Sequence, residues 1–219
     1  MVAAGYPIRC LALGISLRIR FMNERLSAFV QELYGDGVAH DAAQPDRLLT
    51  RRNLEPETAE LLSLIVRIAG ARRVVEIGTA NGFSTLWLAD AVHDTGGLVV
   101  SVDTAANDEA RSNLACADTA QPGLAERVEL RQEDGGAYLA RLAAGSVDLL
   151  FLDAERVEYP SWWPHPARVL RPGGVLAIDN VLSHADEVAP FLMLLSREPA
   201  FTGGTFALGK GLHLAWRVS

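Results

Sequence analysis

Five short apolar runs, Val74–Ile77, Leu98–Val102, Val128–Arg131, Val147–Leu152 and Val175–Ile178, alternate with stretches of helical character. Most of these runs are continuous rather than alternately apolar and polar. Strands of that kind need cover on both faces, which a parallel sheet between two helical layers supplies. The helices between them are expected over Phe83–Val92, Asp108–Thr119, Gly136–Ala144, Pro160–Leu170 and Ala185–Glu198. The end of the chain, Thr205–Leu208 and Leu212–Val218 around Gly209-Lys210-Gly211, reads as a hairpin on a Gly-rich turn. The expected fold class is α/β, a doubly wound sheet with helices on both faces.

Upstream of the first run, Asn23 is placed to cap a helix reaching Tyr34, with Leu26, Phe29, Val30 and Leu33 on one face. Gly35–Asp46 reads as loop, and Leu61, Leu62, Leu64, Ile65 and Ile68 mark a second amphipathic helix over Glu57–Ala69. With 219 residues the chain is expected to form one domain over 22–219, with helices in 22–70 and the ligand-binding core in 71–219. Residues 1–21 superficially resemble a signal peptide. Their charges are misplaced for one, since Arg18 and Arg20 follow the apolar run and no small-residue cleavage site stands there. They are expected to be a poorly ordered extension outside the core. No stretch approaches the ~20 apolar residues that span a bilayer. The two cysteines, Cys10 and Cys116, cannot build a disulfide framework or a metal knuckle, so a reducing cytoplasm is the expected setting.

In a doubly wound sheet, ligands bind beyond the carboxyl ends of the strands. An acidic group stands at or just past every such end here: Glu76 before Gly78, Asp103, Glu133-Asp134-Gly135, Asp153, and Asp179-Asn180. Any one of them is ordinary turn chemistry. Five on one edge repel one another unless a cation or a donor-rich ligand sits among them. The charge distribution agrees: the net charge is −7, made of +2 over residues 1–75 and −9 over 76–219. A duplex-binding surface would need the opposite sign. Gly78-Thr79-Ala80-Asn81-Gly82 is a glycine-rich loop opening a helix, but its spacing is not the G-x-G-x-x-G of dinucleotide sites. Glu76 would oppose a pyrophosphate and suits an ammonium group. Asp103 stands 25 residues after Gly78, about where a carboxylate grips a ribose diol. An ammonium and a ribose without pyrophosphate fit S-adenosylmethionine.

At this point the chain resembles the class I methyltransferases, and more narrowly the cation-dependent O-methyltransferases that include the catechol and caffeoyl-CoA enzymes. The resemblance rests on Val75-Glu76-Ile77-Gly78 with Gly82 and Ser84, on Asp103, on Phe151-Leu152-Asp153-Ala154, and on Arg171-Pro172-Gly173-Gly174 leading to Asp179-Asn180. It implies a seven-stranded Rossmann-like sheet, mostly parallel, with an antiparallel C-terminal hairpin strand. It implies that Glu76, Gly78 and Ser84 hold the methionine end of the cofactor and Asp103 its ribose. Asp134 and Gly135 would flank the adenine, and Leu54 would close over the ligand. Asp153, Asp179 and Asn180 would bind a divalent ion, with Asp153 also at the cofactor. The resemblance also implies a small hydroxylated, catechol-like acceptor and a homodimer; from charge and apolar run length, neither nucleic acid nor membrane is expected as a partner.

Two carboxylates and an amide oxygen are hard ligands, suited to Mg²⁺, Ca²⁺ or Mn²⁺ rather than zinc. One position departs from the family pattern. Where the family carries a lysine three residues after the metal-binding aspartate, this chain carries Arg156. A guanidinium stays protonated and cannot act as a base at neutral pH. Lys210, the only lysine, lies in the hairpin turn rather than at a matching position. Three readings stay open: the metal alone acidifies the hydroxyl, His184 takes the proton, or the acceptor is not a catechol. Arg156 is then left to steady an anionic group or to pair with Glu155 or Glu158. Trp162, Trp163 and His165 either wall the acceptor pocket or pack into the core. Two alternatives to the cation-dependent enzyme are also open: a metal-independent methyltransferase of another nucleophile, and a non-catalytic cofactor-binding protein.

Overall fold

The structure, a computed structural model, describes residues 22–46 and 49–219. The expectation for residues 1–21 therefore lies outside the described residues. In chain order the elements are α1 (Glu24–Ala43), α2 (Pro56–Ile68), β1 (Arg73–Ile77), α3 (Phe83–Thr95), β2 (Leu98–Asp103), α4 (Asp108–Ala120), β3 (Val128–Gln132), α5 (Gly135–Arg141), β4 (Val147–Leu152), α6 (His165–Val169), β5 (Leu170–Ile178), α7 (Ala185–Ser196), β6 (Phe201–Phe206) and β7 (Leu212–Arg217). The seven strands form one sheet in the order β3-β2-β1-β4-β5-β7-β6. β1 to β5 are parallel, and β7 runs antiparallel between β5 and β6. The chain winds outward from β1 in one direction to β3, then returns to β4 on the other side. The crevice between β1 and β4 is thus the switch point at which such sheets bind ligands.

Burial on both faces explains the continuous apolar runs. On β1, Val74 belongs to the core that carries α1 to α4, while Val75 and Ile77 belong to the opposite core. On β4, Leu149 and Phe151 face the first layer, and Leu150 and Leu152 face the second, which packs against α7 and the Arg156–Trp162 turn. α3 is buried at every position from Phe83 to Val92, so it shows no polar stripe.

Three expectations are corrected. The loop proposed over Gly35–Asp46 is helical to Ala43, because α1 continues through its glycines. Gly37 is there for space: a Cβ would lie 2.2 Å from Asn53 Nδ2, so only glycine lets the Asn53 side chain cross the helix. The single helix over Pro160–Leu170 is instead a 3-10 turn, Arg156–Trp162, and the short α6. Pro160, Pro164 and Pro166 have no N–H to give, and a continuous helix cannot pass three such gaps. Finally, the strand expected over Val175–Ile178 starts earlier, at Leu170, so that Pro172-Gly173-Gly174 forms part of β5. Its register slips between Val147 and Leu149, an irregularity that Gly173, at φ +79°, and Gly174 absorb.

Candidate active site

Glycines shape the floor of the site. Gly78, at φ +108°, follows β1, and a Cβ there would lie 2.1 Å from the carbonyl oxygen of Asp153. The backbone of β1 therefore passes against the end of β4 with no room for a side chain. Gly78 N–H donates to Val102 O (2.8 Å) and Asp153 N–H to Ile77 O (2.9 Å), which locks the ends of β2, β1 and β4 together. Ala80 (φ +46°) and Gly82 (φ +85°) complete a tight loop into α3. Asp103 braces that loop. One carboxylate oxygen accepts from Thr79 N–H (2.8 Å) and Ala80 N–H (3.1 Å), and the other from Ala105 N–H (2.9 Å).

Glu76 is fully buried, one layer behind the loop. It accepts hydrogen bonds from Ser84 Oγ (2.6 Å), Ser101 Oγ (2.6 Å) and Thr85 Oγ1, while Ser101 Oγ also pairs with Thr79 Oγ1 (2.7 Å). Burial pushes the carboxyl up, and the three hydroxyls pull it back only in part.

Above this floor lies a cavity of about 500 Å³. Of the residues singled out in the sequence, Leu54, Gly78, Ser84, Asp103, Gly135, Asp153, Arg156, Asn180 and His184 line it. Glu76, Asp134 and Asp179 do not. Glu76 reaches the cavity through Ser84. The Asp134 side chain caps α5, accepting from Ala137 N–H at 2.7 Å, which leaves Gly135 to face the cavity. Trp162 is 5% exposed and still lines the wall, so the core and pocket readings are both met by one side chain. A Cβ on Gly135 or Gly136 would collide with its indole or with Ile77.

The acidic end is drawn together by β4 and β5. Asn180, at φ +64°, donates from Nδ2 to Asp153 Oδ1 (3.0 Å). Asp179 is 1% exposed, and its Oδ1 is buried with no hydrogen-bond partner. Burial raises the Asp153 carboxyl well above its usual range, and the charge of Asp179 adds to the effect. Burial likewise raises Asp179, to about 7. Among the described residues no group of three or more His, Cys, Asp or Glu is placed to hold a metal ion, so a cation here would depend on two carboxylates and the Asn180 amide.

Arg156 is 5% exposed, and its Nε donates to Glu187 Oε2 of α7 at 2.8 Å. The expected pairing with Glu155 or Glu158 is corrected: Glu155 pairs with Arg52 instead, at 3.2 Å. His184 precedes α7, with Nδ1 2.9 Å from Ser183 Oγ. The sequence reading missed Lys210, which the hairpin carries onto the cavity wall. It also missed Thr79, Ala80 and Arg52. The signal for Lys210 was its being the sole lysine between two glycines, but which way the hairpin folds could not be read from local pattern.

The sequence profile of the O-methyltransferase family matches residues 36–190. The chain belongs to the O-methyltransferase family. A catechol O-methyltransferase of Mycobacterium tuberculosis is 33% identical over 144 residues, covering 66% of this chain and 62% of that protein. A second catechol O-methyltransferase, of Niastella koreensis, is 29% identical over 133 residues, covering 59% and 58%. The match thus spans about six-tenths of the length of these two relatives. Among solved structures, an O-methyltransferase from Bacillus cereus in complex with SAH superposes with a TM-score of 0.71 at 26% identity, covering 87% of this O-methyltransferase chain and 90% of that one. The O-methyltransferase TomG of Streptomyces achromogenes, involved in tomaymycin synthesis and solved with SAM, gives 0.70 at 26% identity, covering 93% of each chain. Among the described residues no helix is long and apolar enough to cross a membrane.

Proposed function

We propose that this chain transfers the methyl group of S-adenosylmethionine to a hydroxyl of a small, catechol-like aromatic acceptor, with a divalent cation at Asp153, Asp179 and Asn180. The observation that carries the cation is the buried, unpartnered Oδ1 of Asp179 beside the half-buried Asp153. Two carboxyls sharing a desolvated corner need a positive charge or a shared proton. Oxygen ligands of this kind fit Mg²⁺ or Mn²⁺.

The chain's own residues divide the work. The methionine end fits over the Gly78–Gly82 loop, where Ser84, oriented by Glu76, offers its hydroxyl. The ribose end fits Asp103, already positioned by the loop amides. Trp162 and Leu54, both nearly fully buried, exclude water from the two sides. When bound, the cation would lower the acceptor hydroxyl's pKa and orient its oxygen toward the methyl group. Arg156 is held by Glu187, so it steadies the wall of the acceptor site. His184 lines the cavity, which supports it as the group that receives the hydroxyl's proton. Attack of an oxyanion on a sulfonium neutralises charge, so alignment in a closed cavity is the main contribution of the protein.

The test is release of S-adenosylhomocysteine with a panel of catechols and hydroxycinnamoyl compounds, in Mg²⁺ and then in EDTA. Turnover that disappears in EDTA supports the assignment. Turnover that survives EDTA overturns the roles of Asp153, Asp179 and Asn180 and leaves a metal-independent methyltransferase.

A further inference from the structure

The β6–β7 turn reaches the acidic end of the cavity and is held from two sides. The Lys210 carbonyl accepts from Leu182 N–H (3.1 Å) and Ser183 N–H (3.0 Å), and the Gly211 carbonyl from Val181 N–H (3.0 Å). Those three donors form the segment directly after Asn180. On the other side, a Cβ on Gly209 would lie 2.6 Å from Thr58 Oγ1 and 2.8 Å from Glu55 Oε2, so the turn is pressed against the start of α2. Lys210 Nζ reaches Glu55 Oε1 at 2.8 Å, and the residue lines the same cavity as Asp153 and Asn180. Glu55 Oε2, like Asp179 Oδ1, is buried without a hydrogen bond. One ammonium therefore stands among three carboxylates, two of which have an oxygen with no partner.

We infer that Lys210, tethered by Glu55, is a resident counter-cation of the Asp153–Asp179 corner, and that a divalent ion binds there against its charge. The inference rests on the cation reading given above. It makes Lys210 a positioning residue: its charge holds the two aspartates ready, and the Glu55 tether keeps its Nζ at the rim. The local electrostatics agree. Burial works to lower the ammonium's pKa, but the Glu55 hydrogen bond and the charges of Glu55, Asp179 and Asp153 outweigh it and raise it. An ammonium held this firmly keeps its proton, which separates its role from that of a catalytic base.

The test is Mn²⁺ binding, read from the electron-paramagnetic resonance of the free ion, without cofactor or acceptor. It compares the wild type with Lys210→Met and Lys210→Arg. Removing the charge should tighten Mn²⁺ binding by about tenfold, whereas the arginine variant should stay within about threefold of wild type. Equal or weaker binding by Lys210→Met overturns the inference. Thermal unfolding in EDTA at pH 8 gives an independent arm. Lys210→Met should melt below Lys210→Arg, and adding Asp179→Asn to Lys210→Met should recover the loss. Equal melting of Lys210→Met and Lys210→Arg, or no recovery, overturns the counter-cation role. Should no protein, wild type included, bind Mn²⁺ at millimolar concentration, the cation reading fails on its own account. The melting comparison then decides whether Lys210 balances the corner.

Discussion

Replacing Gly78 with alanine tests whether the loop after β1 is shaped by the end of β4. Two costs add. The backbone sits at φ +108°, where an L side chain is strained by about 1–2 kcal/mol or more. The new Cβ would also start 2.1 Å from Asp153 O, whereas side-chain carbons essentially never approach below 3.0 Å, so something must move by about 1 Å. Neither partner is loose, since Gly78 N–H and Asp153 N–H are both bonded to neighbouring strands. Overpacking against fixed backbone costs about 1–3 kcal/mol, which brings the total to about 2–5 kcal/mol. For a chain of this size that is a fall in Tm of about 5–15 °C. Gly70→Ala is the control: it carries the same sign of φ, +58°, with nothing within 4 Å of a Cβ. It should lose only the conformational part, about 2–6 °C. Calorimetry would give both Tm values, and titration with S-adenosylhomocysteine would give affinity. Gly78→Ala should melt several degrees below Gly70→Ala and bind the ligand at least about tenfold more weakly, because Asp153 moves with its carbonyl. Equal melting of the two variants, together with wild-type ligand affinity for Gly78→Ala, would refute the reasoning.

Glu76→Gln should destabilise the protein by about 2–3 kcal/mol and weaken cofactor binding, since an amide turns a donor toward hydroxyls that now donate to a carboxylate; calorimetry and ligand titration measure both, and an unchanged Tm would rule out the network. In EDTA, Asp179→Asn should be more stable than wild type at pH 8 and lose that advantage toward pH 4. The Asp179 carboxyl is raised from 3.8 to about 7 in the folded protein. The stability linked to its proton is thus present below pH 4 and lost as pH rises through 7. The full window corresponds to about 4 kcal/mol. A melting series across that range checks it, and a gap that does not widen with pH would contradict the sign. Mg²⁺ should raise the Tm of the wild type at pH 8 and leave that of Asp179→Asn unchanged; a rise in neither protein would count against the ion.

The strands were legible because a sheet buried on both faces leaves a pattern that does not depend on distant partners. Val147–Leu152 matches the observed β4 end for end. The acidic strand ends were legible for the same reason: position at a carboxyl end follows from the strand itself. What local pattern could not show was direction. Glu76 stands at the right place in the chain, but its side chain turns inward to Ser84 and Ser101. Asp134 was read as a ligand contact and spends its carboxylate on a helix cap. Gly35 and Gly37 looked like loop residues because the reason for Gly37, the crossing Asn53 side chain, lies 16 positions away. Arg156 finds Glu187 across 31 residues, beyond any local reading.

The position of β7 bears on how the molecule comes to exist. The last strand of the chain lies inside the sheet, between β5 and β6. Until Leu212–Arg217 has been synthesised, β6 has nothing to pair with, and the edge of β5 from Val175 to Ile178 stays open. A nascent chain can therefore lay down the five parallel strands and still be unfinished. The same closing step brings Lys210 to Glu55, which lies 155 positions earlier in the chain. Loss of the stretch from Lys210 to Arg217 would leave an unpaired apolar edge and a cavity without one of its walls.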